Sequence, residues 1–308
     1  MFDEDFSFLI EQKYPYPIAV AFRRLETDEY MEKGAKRLKG ILEVAERTLH
    51  LLAHVVLIGL FEDARKAAAG ELPKGLTSDF EKKFGALSFG SLIQYLREGI
   101  RTYKEHPERC FMPELYPFYF DASGKPTQAA QAFDALVAVR NKLAHPTQQY
   151  TAKELADFCG EAEGELTKIL EGLGFLTKYE LLNVNQIEVI KKRSKEAAFK
   201  HRFSKIVGVS ENFKAREDSF PAFMDSHAMV LKKKETFDYL DLSPLVIYSA
   251  EGEKQVPDVF LYLGQKGAGY VYSACNNGGV FDSRQSSLQN DLQEGMKAFL
   301  QAFAPKGN

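Results

Sequence analysis

Apolar residues recur at steps of three and four from about Met31 to Ala69. Leu38, Ile41, Leu42, Ala45, Leu49, Leu52, Val56 and Leu60 share a face, with no proline among them. This predicts one long amphipathic helix, ended by Gly70, Pro73 and Gly75. Phe84 to Tyr103 predicts a second helix. A third can be capped by Thr127; its stripe is Ala129, Phe133, Leu136, Val139 and Leu143, and Pro146 stops it. Thr151 and Glu154 have capping-box spacing for a fourth, which Leu155, Phe158, Ala162, Leu166, Ile169 and Leu173 carry to Gly174. Residues 1–30, with Pro15 and Pro17 among aromatics, read as an irregular arm over the core. The segment Pro107–Pro126, with its LYPFYF run, reads as an ordered loop. The four helices predict an up-and-down bundle over residues 31–173.

Beyond Phe175 the pattern changes to short runs rich in β-branched and aromatic residues: Tyr179–Ile190, Arg202–Val209, Ala228–Leu231, Leu245–Ser249, Val259–Leu263 and Tyr270–Ala274. GQKGAG at 264–269 lacks the Lys-Ser/Thr of a phosphate-binding loop and reads as the turn of a hairpin. Ser286 and Gln289 have capping-box spacing for a last helix through Leu292, Met296, Phe299 and Phe303. The expectation is an α+β chain. Its N-terminal α-helical bundle, with the arm, fills 1–174, and a smaller, mainly antiparallel β domain with a C-terminal helix fills 175–308.

Composition narrows the function classes. With 40 Lys+Arg against 43 Asp+Glu the net charge is −3, so bulk charge does not hold this protein to nucleic acid. Cys110, Cys159 and Cys275 are widely spaced and odd in number, which argues against a disulfide framework or structural zinc. The acidic start carries no cleavable signal pattern, and the apolar run Leu49 to Phe61, broken by His50 and His54, is shorter than the ~20 residues of a membrane span. A cytoplasmic protein that needs neither cofactor nor membrane is expected.

The stretch richest in chemistry is ALVAVRNKLAHP, 135–146. It puts Arg140, Asn141 and His145 at the C-terminal end of a helix, where the negative end of the dipole favours cations and keeps His145 partly protonated near neutral pH. Asn141 and His145 share a face; Arg140 lies about 140° from His145, and unwinding before Pro146 can bring them together. Arginine beside histidine suits RNA cleavage without a metal. An imidazole takes the proton of the ribose 2′-OH, and a guanidinium holds the charge that builds on the phosphate. The same residues also suit ordinary capping of a helix end. Of two further Arg-x4–6-His matches, Arg47 with His54 and Arg101 with His106, neither has Asn after the arginine; only RNKLAH combines that Asn with a small residue before the histidine and a long apolar stripe leading in.

Through RNKLAH the bundle resembles the HEPN superfamily, helical domains with an Arg-x4–6-His motif. The resemblance implies a homodimer with two motifs facing each other, with Arg140 and His145 catalytic and Asn141 supporting. It implies RNA or a nucleotide as ligand, and a toxin–antitoxin or antiviral defence setting with an antitoxin or defence partner protein. The alternative is a non-catalytic nucleotide- or phosphate-binding and dimerisation module; a third reading is a structural protein that docks through the β domain. Two other features carry weight. His50 and His54, four apart in an apolar run, read as core histidines with partners sooner than as metal ligands. Lys191, Lys192, Arg193, Lys195, Lys200 and Arg202, interleaved with Phe199 and Phe203, form a local basic excess that fits RNA, or else a solvated turn.

Overall fold

The computed structural model describes residues 2–66, 74–78, 80–144, 149–209, 215–220, 224–236, 238–253, 256–276 and 278–304. Among them the chain is α+β: a helical N-terminal half, two antiparallel sheets and a C-terminal helix.

Helix α3 (Ala35–Arg65) is the axis of the molecule. It is buried on nearly every side, at Leu38, Ile41, Leu49, Leu52, Val56 and Leu60 on its predicted stripe and also at Leu51, Val55, Leu57 and Ile58 off it. A helix that is apolar all round has to be enclosed by protein. Its length and composition would allow it to cross a membrane, yet most of that stretch is buried inside the protein, as in the core helix of a globular fold. Helices α6 (Phe89–Thr102) and α9 (Ala152–Gly172) pack on it, and α8 (Gln128–Leu143) packs on α9. The predicted caps are formed: Thr127 accepts from the Ala130 N–H at 3.2 Å, and Thr151 and Glu154 close a reciprocal capping box.

The N-terminal segment is not an irregular arm. It forms α1 (Glu4–Lys13) and α2 (Tyr16–Leu25), and α2 lies against α3 with Ile18, Phe22 and Leu25 buried. Pro15 and Pro17 do not break these helices, because Pro15 is the N-cap of α2 and Pro17 sits in its first turn, where no amide hydrogen bond is lost. Three further short helices, α4 (Lys74–Thr77), α5 (Phe80–Phe84) and α7 (Leu115–Tyr119), lie in the connections.

The first sheet has the order β3-β2-β1-β4-β5, from β1 (Tyr179–Ile190), β2 (Ala198–Lys205), β3 (Ala215–Phe220), β4 (Met229–Lys233) and β5 (Tyr239–Asp241). One face sends Leu181, Met229 and Leu231 into the main core. The other carries a smaller cluster of Leu182, Val184, Phe203, Met224, Ala228 and Val230. The second sheet is β6 (Val246–Ser249), β7 (Asp258–Lys266), β8 (Gly269–Ala274) and β9 (Val280–Asp282), followed by α10 (Gln289–Phe303). GQKGAG holds the β7–β8 turn at Gly267 and Ala268, with Gly267 at φ +61° and Lys266 paired with Gly269 across it. The capping box before α10 is not formed, since the Ser286 hydroxyl donates to Glu251 at 2.5 Å and accepts from the Leu288 N–H.

Secondary structure changes at residue 175, but the core does not stop there. One buried cluster runs from Ile10 to Phe303. The aromatic rings of Phe80, Phe84, Tyr95, Tyr262, Phe299 and Phe303 bind α5, α6, β7 and α10 together, with Phe80 stacked on Phe303 at 4.4 Å and Phe84 on Tyr262 at 4.8 Å. Residues 85–87 pair with the free end of β7, through Leu87 N–H to Leu263 O and Gln265 N–H to Gly85 O. Gly264 permits this approach, because a Cβ there would stand 2.6 Å from the Gly85 carbonyl oxygen.

Helix α6 meets α3 where Gly99 leaves room for Val56; a Cβ at Gly99 would overlap Val56 Cγ1. Alanine in a helix interior gains about 0.5–1 kcal/mol over glycine, but overpacking a core typically costs 1–3. Gly99→Ala is therefore expected to lower stability by about 1–2 kcal/mol, read as a lower urea midpoint at unchanged slope. An unchanged or higher midpoint would show that the two helices separate freely.

Candidate functional site

The end of α8 is a surface feature. Its buried residues are Ala130, Ala132, Phe133 and Leu136, and beyond them the helix is only partly covered. Arg140 is half-buried, while Asn141, Lys142 and Ala144 are exposed. The helix stops at Leu143, with the Ala144 N–H still donating to the Arg140 carbonyl at 3.0 Å, ahead of Pro146 as the sequence predicts. Two aromatic rings fix this end to the start of α9. The Lys142 ammonium lies over Phe158 at 5.5 Å, Tyr150 packs edge-on against Phe158, and the Tyr150 hydroxyl donates to the Lys142 carbonyl at 3.3 Å. The side chains of Arg140 and Asn141 make no hydrogen bond or ion pair with the described residues. His145 lies outside the described residues.

The other two Arg–His matches are accounted for locally. The Arg47 guanidinium is buried and donates to the carbonyls of Ala274 at 2.8 Å and Ser273 at 3.5 Å, tying α3 to β8. Arg101 pairs with Glu98 at 2.7 Å and stacks over Phe120, and His106 Nδ1 meets the Glu108 carboxylate at 3.2 Å. Of the three arginines, Arg140 alone keeps a guanidinium unclaimed by the described residues.

His50 and His54 are core residues, 3% and 0% exposed, with ring centroids 5.5 Å apart. The partners expected for them are largely missing among the described residues, since His50 Nδ1 and both ring nitrogens of His54 make no hydrogen bond with any of them. Arg47, His54 and Phe61 lie seven apart, about 20° from one another around α3. Arg47 touches β8 and Phe61 touches Phe299 of α10, so this row faces the second sheet and α10. Burial holds both imidazoles neutral. It lowers His50 well below the usual histidine range, helped by His54 and Arg47, and pushes His54 down to about 3. Among the described residues no three His, Cys, Asp or Glu side chains gather to hold a metal. All three cysteines are free and buried.

The basic stretch divides in two. Lys191, Lys192, Arg193 and Lys195 are exposed at the tip of the β1–β2 hairpin, in a turn closed by Lys195 N–H to Lys192 O and by the Lys191 ammonium on Lys195 O. Lys200 and Arg202 lie on strand β2 instead. Lys200 is paired with Glu217 at 2.6 Å, and Arg202 stands opposite Glu217 across β2–β3. Phe203 is buried in the smaller core and is no base-stacking platform. Sequence reasoning missed Glu217, because the charged run AREDSF gives no strand signal. It also missed the part played by Tyr150, whose only trace is its place before the predicted cap Thr151, and by Phe158, read only as one member of an apolar stripe.

The histidine pair makes stability depend on pH. Between the depressed folded values and about 6.5, the unfolded chain binds protons that the folded core refuses, so stability falls as pH falls from about 6.5 toward 3. Two such groups give a slope of up to about 2.7 kcal/mol per pH unit. Urea midpoints from pH 7 to 4 should drop more steeply for the native chain than for the double variant His50→Leu, His54→Leu. Parallel curves would contradict this.

Comparison of the chain with protein-family models, characterised proteins and solved structures gives no match.

Proposed function

We propose that this protein is a metal-independent endoribonuclease of the HEPN type, with its site at the C-terminal end of α8. The observation that supports this reading is the contrast among the three Arg–His pairs. Arg47 and Arg101 are spent on carbonyls and a carboxylate, whereas Arg140 has a guanidinium that no described residue claims, beside exposed Asn141 at the end of the helix.

In this reading His145 removes the proton of a ribose 2′-OH and the oxygen attacks the adjacent phosphorus. A 2′,3′-cyclic phosphate forms, and the 5′-oxygen leaves after taking a proton. Arg140 binds the non-bridging oxygens as their charge rises, and Asn141 orients the imidazole or a phosphate oxygen. Two copies of the chain complete the site, one His145 serving as base and its counterpart as acid. The protein works in the cytoplasm, where three free cysteines stay reduced, as the effector of a defence or toxin–antitoxin system restrained by a partner protein.

The test is digestion of a mixed-sequence RNA in excess EDTA. The native chain should cleave and leave cyclic phosphate ends, with a rate that rises faster than linearly with protein concentration. Arg140→Ala and His145→Ala should each lower the rate about 10²–10⁴-fold, and Arg101→Ala with His106→Ala should not. Cleavage retained in either single variant removes the mechanism. Saturable nucleotide binding without cleavage in the native chain selects the non-catalytic module.

A further inference from the structure

The tip of the β1–β2 hairpin stands clear of both cores. The ladder continues from the pair Ile187–His201 to the pair Ile190–Ala198, which carries the ribbon about 10 Å beyond the buried His201. Along this stretch Val189 is 54% exposed and Ile190 39% exposed. Lys191, Lys192, Arg193 and Lys195 cap it, none with a carboxylate partner among the described residues, and Glu196 is the only acid in the turn. In a chain of net charge −3 these are four cations held together off the body of the protein, against one acid in the turn.

We infer that this tip is a docking arm for single-stranded RNA, with the four cations on consecutive phosphates and Val189, beside its cross-strand neighbour Phe199, against a base. Charge selects a polyanion. The apolar residues select among polyanions. Adjacent strand residues point to opposite faces, so Val189 and Ile190 cannot lie together on a lipid surface. A duplex hides its base faces, whereas a single strand offers them for apolar contact next to the backbone. Lys200 and Arg202 are excluded from the arm, because both lie on strand β2 rather than in the turn, and Lys200 is paired with Glu217, which also stands opposite Arg202. The inference rests on the ribonuclease reading only for the choice of RNA over single-stranded DNA.

The experiment is fluorescence anisotropy of the full-length chain with a labelled 2′-O-methyl oligoribonucleotide of about 20 residues, which binds as RNA but has no 2′-OH to attack. Binding is thereby read apart from cleavage. Four phosphate contacts contribute about −2.8 to the slope of log affinity against log salt, roughly a 50-fold loss between 50 and 200 mM. Changing Lys191, Lys192, Arg193 and Lys195 to Gln should remove that part of the slope and weaken binding at least about tenfold at 50 mM. Lys200→Gln with Arg202→Gln should change affinity less than about twofold, and circular dichroism should be the same for all three proteins. An unchanged slope in the tip variant, or an equal loss in the strand variant, overturns the proposal. So does binding of the tip to phosphatidylserine vesicles while the oligonucleotide slope stays constant. Equal affinity and equal tip dependence for the matching deoxyoligonucleotide would overturn the assignment to RNA. Tip-dependent binding without cleavage of natural RNA would overturn the α8 mechanism and leave the arm standing.

Discussion

From Arg47 to Phe61 helix α3 is buried on every side, and the rest of the fold follows from the need to cover it. Helices α2, α6 and α9 cannot enclose it alone. The row through Arg47, His54 and Phe61 is closed by the second sheet and α10, with the Arg47 guanidinium on the carbonyl ends of β8 and Phe61 on Phe299. Arg24, from α2, adds a hydrogen bond to the Asn276 carbonyl and an ion pair to Glu43. A covering shell drawn from both ends of the sequence explains why one core crosses the change from helices to strands.

The same constraint decides where chemistry can take place. Polar groups drawn into the shell around α3 are spent on structure. Arg37, for example, is buried and holds Glu163 at 2.8 Å together with the carbonyls of Leu25 and Tyr30. The two histidines next to Arg47 are neutral and sealed. At the margins, where an element outruns the core, cations keep no carboxylate partner among the described residues, as at the last turn of α8 and the end of the β1–β2 hairpin. Both are cationic, and a phosphate-bearing ligand is what we propose for each.

Much of this was legible in the sequence, for reasons that can be named. Strand β1 was read to its observed ends, because a β-branched run between two changes of composition leaves little choice. The starts of α8 and α9 were legible through Thr127 and Thr151, whose caps are local. Features set by distant contacts were not. Pro15 and Pro17 looked like breakers, since only the position of a helix start turns a proline into a favourable first-turn residue. Ser286 had the spacing of a cap and was taken by Glu251, 35 residues away. The division of the basic stretch depended on Glu217, in an edge strand whose composition, AREDSF, resembles a loop. The three-residue strands β5 and β9 are too short to show any period.

We propose that the end of α8 holds a phosphate through Arg140 and His145. The most direct measurement is NMR of the histidine side chains while uridine 3′-monophosphate is added. If the two side chains share a phosphate, the His145 imidazole resonances shift saturably in the native chain and stay fixed in Arg140→Ala, with His50 and His54 unmoved in both. A His145 signal indifferent to the nucleotide, or one that responds equally without the Arg140 guanidinium, would contradict it.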